Sequence, residues 1–330
     1  MHIVRYTPDK AQEWDTLVEG SRNGTFLFRR SYMDYHHDRF VDHSLLFYKT
    51  ADGNDTGHGR LMAVLPANEV VATDGTRQKT LCSHQGLTYG GFVLTAETRS
   101  ADVGELFALT ISYLRDNGFT EWVYKPVPTI YHRLPAEEDE YWLWRNGAVL
   151  SACRLSATVA LNGQMAAPLE RRRRRGISKA SALGYHIVED ASLDTFWPIM
   201  TDNLRQRYHA TPVHTLAEMT MLRERLPQNI EVYLCCDGKG EAQAGAVIYL
   251  ANSETVHVQY AHATPQGKAD GAIDILYSCL MDRYRRQGYR FFDIGTSNED
   301  DGRILNANLI AQKEGFGGRG VAYKTYSIKL

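Results

Sequence analysis

Strands alternating with helices predict an α/β chain with a mixed sheet, and two observations predict that its folding module occurs twice. First, residues 256–294 read as a strand (VHVQYAHA, 256–263), a Gly-bearing turn, an amphipathic helix over 270–287 and a strand over 290–294. Second, the first half carries the same rhythm. LRDNGFTEWVY (114–124) parallels YRRQGYRFFDI (284–294), and WLWRNGA (142–148) parallels IAQKEGF (310–316). A length of 330 residues suits two domains. The boundary is expected near residue 163, in NGQMAAP, giving domains 1–163 and 164–330.

The first half opens with the strand HIVRYT. A helix follows over AQEWDTLVEG, where Trp14, Leu17 and Val18 fall at helical spacing. RRSYMDYHHDRF reads as a second short helix. HSLLFYKT and RLMAVLPANEV read as strands joined by ADGNDTGHG, whose Gly, Asn and Asp suit a hairpin turn. The LCSHQGLTYGGFVL stretch leads to a helix over 101–116, the strand TEWVYK, a short helix near 137–146 and a strand near 149–161. The helix ERRRRRGISKASALG then enters the second half. There YHIVED is a strand, SLDTFWPIMTDNLRQRY and TLAEMTMLRERL are helices, and NIEVYLCCD and AQAGAVIYLA are strands around a DGKGE turn. After the 256–294 run, a helix over 303–314 and a strand over 321–330 close the copy.

Hydrophobic content of 43% and charged content of 23% are those of an ordinary globular chain. A net charge of −2 gives no global attraction to nucleic acid or anionic lipid, so any basic site is local. The five cysteines form no CxxC pair, which argues against a structural zinc site. An odd cysteine count and a charged MHIVRYTPDK start suggest a reducing, cytoplasmic setting. The longest apolar run, AGAVIYLA, is too short for a membrane span.

Several polar residues sit where the pattern expects burial. Alternation along 256–263 puts His257 and Gln259 on one face and Tyr260 and His262 on the other. His257 and Gln259 either satisfy each other or a neighbour, or orient and deprotonate a substrate amine. Asp293 ends an apolar strand before Gly295, at the sheet edge where clefts form; it either braces the loop or does chemistry. Glu299, in the polar SNEDDG run, is a solvated acid or a base at a cleft mouth. Arg171–Arg175 cover every side of a helix, and Arg173 falls on the apolar side set by Leu169, Ala180 and Leu183. A guanidinium there needs a buried anion, either a structural acid or a substrate phosphate or carboxylate. The spacing of His36, His37, His43 and His84 makes no recognised metal site, and no metal is expected.

The order β-α-α-β-β-β-α-β-α-β resembles the GCN5-related N-acetyltransferase (GNAT) fold. Two such domains resemble the Fem-type peptidoglycan-bridge aminoacyltransferases and their acyltransferase relatives. RRGISKA (174–180), FFDIGTSNE (291–299) and LNANLIAQKEGFGG (305–318) carry the resemblance, which spans essentially the whole chain. It implies an N-acyltransferase that moves an acyl group from acyl-CoA to an amine, on an amino sugar, a cell-envelope precursor or an amino-acid-like metabolite. The alternatives are a Fem-like aminoacyltransferase using aminoacyl-tRNA, or a non-catalytic ligand-binding protein that kept the fold.

The resemblance also places residues. The family's phosphate loop is met as Gln266-x-x-Ala269-x-Gly271, so Gln266, Gly267, Lys268, Gly271 and Ala272 would hold the coenzyme A diphosphate at a helix N-terminus. Asp270 would repel a phosphate there unless it caps the helix. Lys313, in Lys313-Glu314-Gly315-Phe316-Gly317, matches a lysine that stabilises the transition state in Fem-type enzymes. Tyr323 and Tyr326 are possible proton donors, though in a chain with 19 tyrosines packing is the simpler role. Tyr35, His36 and His37 sit where GNAT folds line the acceptor site, and His84 lies in the Gly-rich SHQGLTYGG. The first domain has no phosphate loop, which implies an acceptor-shaping copy beside a donor-binding, catalytic second copy. The helical arm of some Fem-type enzymes has no heptad counterpart here.

Overall fold

The computed structural model describes residues 1–50, 59–72, 78–163, 167–208 and 210–330. The turn expected over ADGNDTGHG falls largely outside them, as does part of NGQMAAP. The first-half elements are β1 (His2–Arg5), α1 (Ala11–Gly20), α2 (Arg30–Met33), β2 (Val41–Asp42), β3 (Leu45–Lys49), β4 (Arg60–Leu65), β5 (Asn68–Val71), β6 (Lys79–Cys82), β7 (Val93–Leu94), α3 (Ser100–Asp116), β8 (Glu121–Tyr124), α4 (Glu138–Arg145) and β9 (Val149–Ala160). The rest are α5 (Arg171–Ala182), β10 (His186–Val188), α6 (Leu193–Tyr208), α7 (Leu216–Arg225), β11 (Ile230–Cys236), β12 (Ala242–Leu250), β13 (Thr255–Ala263), α8 (Pro265–Asp270), α9 (Ala272–Arg286), β14 (Phe291–Thr296), β15 (Asn298–Glu299), β16 (Ile304–Leu305), α10 (Ala307–Glu314) and β17 (Arg319–Lys329). Among the described residues no helix is long and apolar enough to cross a membrane.

The chain divides into two compact units. One comprises Met1–Arg154, Asp300–Arg303 and Ala322–Leu330, and the other Leu155–Glu299 and Ile304–Val321. Both β9 and β17 are therefore divided: each unit takes its outer strand from a segment that the linear order would give to the other. In the first unit the end of β17 pairs with β8, from Tyr326↔Tyr124 to Lys329↔Glu121. In the second, the end of β9 pairs with β14, from Phe291↔Ala160 to Thr296↔Ser156.

In the first unit the strands fall into two groups, β1-β3-β4-β7 and β2-β5-β6-β8 with the end of β17. RLMAVLPANEV, expected as one strand, is broken at Pro66, which has no N–H for a ladder. SHQGLTYGG separates β6 from β7. Phe47, Phe92, Phe107, Trp122 and Ile328 are among the core residues of this unit.

The second unit has the order β10-β11-β12-β13-β14-β9. The helix expected over 270–287 is α9, and the Gly-bearing turn expected before it is a short helix, α8; the two meet at Gly271, with φ 87°. A left-handed residue there stops one helix and lets the next begin at a new angle. On α9, Ala272, Leu276, Leu280 and Tyr284 recur every fourth position and pack on a core that includes Val256, Val258 and Ala263 of β13. The helix expected from 303 begins only at Ala307, capped by Asn306 Oδ1 on the Leu309 N–H at 3.0 Å; residues 298–305 form the β15–β16 hairpin.

Strand β13 departs from simple alternation. Val247 pairs with Tyr260 and Ile248 with Val258, so Gln259 is the extra residue of a β-bulge. The alternation expected over 256–263 holds only to Val258. Beyond it the faces exchange: Tyr260 and His262 join the His257 side, and Ala261 and Ala263 join Val256 and Val258 towards α9.

Candidate active site

Strands β13 and β14 run parallel, with pairing from Thr255↔Phe291 to His257↔Asp293. There it ends. β13 has its bulge at Gln259, and β14 shifts register between Asp293 and Thr296, where Gly295 takes φ 84°. The parallel ladder therefore ends where both strands bend, and its last paired residues lie next to those bends. Those residues are His257 and Asp293.

Asp293 is fully buried, and four donors converge on its carboxylate. Oδ1 accepts from Ser156 Oγ (2.5 Å), Thr158 Oγ1 (2.9 Å) and the Gly295 N–H (3.3 Å). Oδ2 accepts from His257 Nδ1 at 2.8 Å. His257 thus finds its partner in a neighbour, Asp293, and Asp293 also braces the following loop through the Gly295 N–H.

Lys313 ends α10 and reaches back to the same bend. Its ammonium donates to Gly295 O (2.8 Å) and Thr296 O (2.7 Å). An ammonium has three N–H groups, so one remains without a partner among the described residues. Burial pulls the Lys313 pKa down to about 8, against the nearby charge of Asp293, which raises it. Gly295 is the common point: a side chain there would point at His257 Cε1, 3.6 Å away, while its carbonyl holds Lys313. The structure thus brings His257, Asp293 and Lys313 together.

Glu299 is not part of this group. It lies exposed on β15 and accepts from Asn306 Nδ2 at 3.1 Å. Arg173 has its buried anion inside the protein, donating to Asp274 Oδ1 of α9 at 2.5 Å and lying over the Phe316 ring. A structural acid therefore fills the role left open between an acid and a substrate anion. Ser156 and Thr158 were not anticipated, although two hydroxyls spaced by two in the apolar LSATVAL strand share a face and were a readable signal.

The expected phosphate loop does not fit a coenzyme A diphosphate. Thr264 Oγ1 caps the Gly267 N–H at 2.9 Å, Thr264 O takes the Lys268 N–H, and Gly267 O takes the Gly271 N–H. Gln266 Nε2 turns to Asp270 Oδ2 at 2.7 Å, and Asp270 also holds Lys179 and the Tyr185 hydroxyl. Ala272 is fully buried in the core. Helix α5 closes the end of α9: a Cβ on Gly271 would lie 2.5 Å from Gly176 O. The anion that complements the α9 N-terminus is Asp274 itself. Gln266, Lys268 and Ala269 are exposed, and of these Lys268 alone carries a cation.

In the first unit, Tyr35, His36 and His84 do come together. The Tyr35 and His36 rings lie 3.7 Å apart and those of His36 and His84 5.3 Å apart. All three residues are buried, and burial drives the His84 pKa down to about 3, with His36 adding to the shift. His37 is exposed and bonded to Asp34 O. His43 bonds Glu69 and Tyr113, and no group of three or more possible metal ligands occurs among the described residues. Glycine in SHQGLTYGG reflects close packing, since a Cβ on Gly86 would meet the His36 ring. Tyr323 bonds Tyr131 and Tyr326 bonds Glu140, which accounts for both as packing residues.

The parallel pair of the first unit, β6 and β8, runs from Thr80↔Glu121 to Cys82↔Val123. Cys82 and Val123 thus stand where the second unit has His257 and Asp293. Arg145, exposed, stands where the 142–148 and 310–316 segments align with Lys313.

Residues 167–301 match the family described as Acetyltransferase (GNAT) domain. Compared by sequence with the curated proteins, the chain has no match. Solved structures share its architecture over nearly the whole length. FemX covers 100% of this chain and 98% of its own, with 12% identity and a TM-score of 0.71. L-PGS from Bacillus licheniformis covers 98% and 92%, with 13% identity and a TM-score of 0.55. A tandem GNAT protein from the clavulanic acid biosynthesis pathway covers 99% and 98%, with 13% identity and a TM-score of 0.51. Identities this low speak to the fold. The chain therefore has the tandem GNAT fold in a form resembling the Fem-type proteins, with a GNAT domain at 167–301 that supports an acyltransferase.

Proposed function

We propose that this chain transfers an activated acyl group to an amine, with His257, Asp293 and Lys313 as the working residues. The observation that carries the reading is their convergence on Gly295: a carboxylate-held imidazole on one side and an ammonium with one N–H to spare on the other. The amine nitrogen attacks the acyl carbonyl, forming the C–N bond as the carbonyl electron pair moves onto oxygen. The third Lys313 N–H meets that oxyanion. His257 takes the proton the amine loses, and Asp293 balances the imidazolium. Collapse breaks the bond to the leaving oxygen or sulfur, which receives the proton from His257. We place the chemistry in the second unit and none in the first, where Cys82 and Val123 replace the dyad.

For the donor, our reading is supported by the packing at α9. Its closed end weighs against acyl-CoA and favours an aminoacyl ester carried by transfer RNA. Arg171, Arg172, Arg174 and Arg175 are exposed on α5 and have no ion pair among the described residues, which leaves them for phosphate contacts. The acceptor class is an amino sugar, cell-envelope precursor or amino-acid-like metabolite. Free thiols at Cys82, Cys153, Cys235, Cys236 and Cys279 suit a cytoplasmic protein.

The test supplies the full-length protein with acetyl-CoA or aminoacyl-tRNA and a panel of amines, and reads products by mass spectrometry. One donor should be consumed, with tRNA binding weakening steeply as salt rises. Lys313→Met should lose about 10²–10³-fold in kcat, the range for one oxyanion donor, and keep a folded protein. The rate should fall as pH rises through about 8, where Lys313 gives up its proton, and Lys313→Arg should carry activity past that point. Full activity in Lys313→Met removes the lysine from the mechanism. No transfer from either donor favours the non-catalytic alternative.

A further inference from the structure

Ser156 and Thr158 lie on β9, ahead of the matched segment 167–301, yet both meet the carboxylate at the centre of the site. We propose that Ser156 and Thr158 are positioning residues. They clamp Asp293 so that it holds the His257 ring in the Nδ1–H tautomer and leaves the basic lone pair on Nε2. The proposal rests on the reading of His257 as the proton acceptor.

The division of labour between the two carboxylate oxygens carries the argument. Ser156, Thr158 and the Gly295 N–H all donate to Oδ1, while His257 meets Oδ2. A carboxylate satisfied only for burial could take its donors on either oxygen. Here three donors converge on one oxygen and the imidazole meets the other, so turning the carboxylate out of its plane would strain all four bonds together. Oδ2 is thereby aimed along β13, where the register sets His257 directly opposite Asp293. A carboxylate oxygen has no proton to give, so the Nδ1 it faces must carry one, and the neutral ring then has its lone pair on Nε2.

The hydroxyls are also placed for this by sequence. Ser156 and Thr158 are two residues apart on one strand, so both side chains face the same way, and β9 pairs Thr158 with Asp293 and Ser156 with Thr296. Ser156 is fully buried and Thr158 nearly so, in the stretch LSATVAL, whose other side chains are apolar. The working group therefore extends on both sides of the matched domain, to Ser156 before it and to Lys313 after it.

The test is histidine ¹⁵N NMR on the full-length protein, with His257 assigned by the signal lost in His257→Gln. In the wild type at a pH where the ring is neutral, Nδ1 should carry the proton and Nε2 should show the shift of an unprotonated nitrogen. In Ser156→Ala/Thr158→Val the Nδ1–H form should give way to a mixture with the Nε2–H form. Thr158→Ser, which keeps the hydroxyl, should retain the wild-type pattern. An unchanged Nδ1–H tautomer in the double variant would overturn the proposal. If the double variant loses its melting transition, the two single variants decide: a shift in either supports the clamp, and none in both overturns it. The measurement needs no substrate. Full acyl transfer by His257→Gln would remove the base reading, a result separate from an unmoved tautomer, which removes the clamp.

Discussion

Asp139 shows how far burial moves a single carboxyl. It is nearly inaccessible on α4, where Tyr124 Oη donates to Oδ2 at 2.9 Å and the Glu140 N–H to Oδ1 at 2.8 Å. Desolvation lifts its pKa to about 7, with the neighbouring Glu140 adding to the rise and the Tyr124 bond opposing it. Between the ordinary carboxylate range and about 7, the folded state holds a proton that the unfolded chain has released. The stability this gives is full below the unfolded value and is lost as pH rises through about 7. Asp139→Asn keeps the shape and removes the titration. Urea unfolding at pH 5 and pH 8 should show the wild type weaker at pH 8 and the variant nearly level. An equal slope in both proteins would mean that Asp139 is not the titrating group. Lys313 is the opposite case: a cation pulled down by burial, whose identity could be read in the sequence but whose two carbonyl partners could not.

At the scale of elements, the packing of α5 on α9 decides what the loop at 266–271 can bind. Gly176 lets the helices touch, since a Cβ there would overlap the Asp274 carboxylate. Arg173 and Asp274 are each 8% exposed and pair across that contact. Burial still holds the Asp274 pKa above its ordinary value, with Arg173 pulling the other way. Arg173→Ala should therefore cost about 3–5 kcal/mol, the range for stranding one member of a buried pair. The cost should be larger at pH 8 than at pH 5, because Asp274 can take up a proton at the lower pH. Thermal unfolding at both pH values checks this, and a melting temperature unchanged at both would assign Arg173 to a ligand instead. The apolar stripe of α5 put Arg173 inside; only the fold could say that its partner lies on a helix 101 residues away.

For the whole molecule, the divided strands mean that sequence neighbours are not always folding partners. Residues 322–330 follow the second unit in the chain but belong to the first, where Ile328 packs in the core with Trp122. Ending the chain at Val321 should expose the edge of β8 and open a hole at Ile328. Hydrogen exchange should then speed up at Glu121–Tyr124 while β11 and β12 keep their protection. Unchanged exchange at β8 would show that the C-terminal strand contributes nothing there.

The sequence by itself determined the module, its repetition and most of its helices, because periodicity and turn residues act over short stretches. It also pointed to His257, Asp293 and Lys313, as polar residues set in apolar strands or in a motif resembling a known one. The tertiary structure decided what depends on pairing between distant segments. The bulge at Gln259 is defined only against β12, and it moved Tyr260 and His262 to the face of His257. The register of β9 on β14 placed Ser156 and Thr158 on Asp293. The approach of Gly176 to Gly271 closed a loop whose resemblance to the family's phosphate loop had suggested a diphosphate site. Each is a contact between residues far apart in the chain, and local periodicity carries no information about which distant strand or helix will supply the partner.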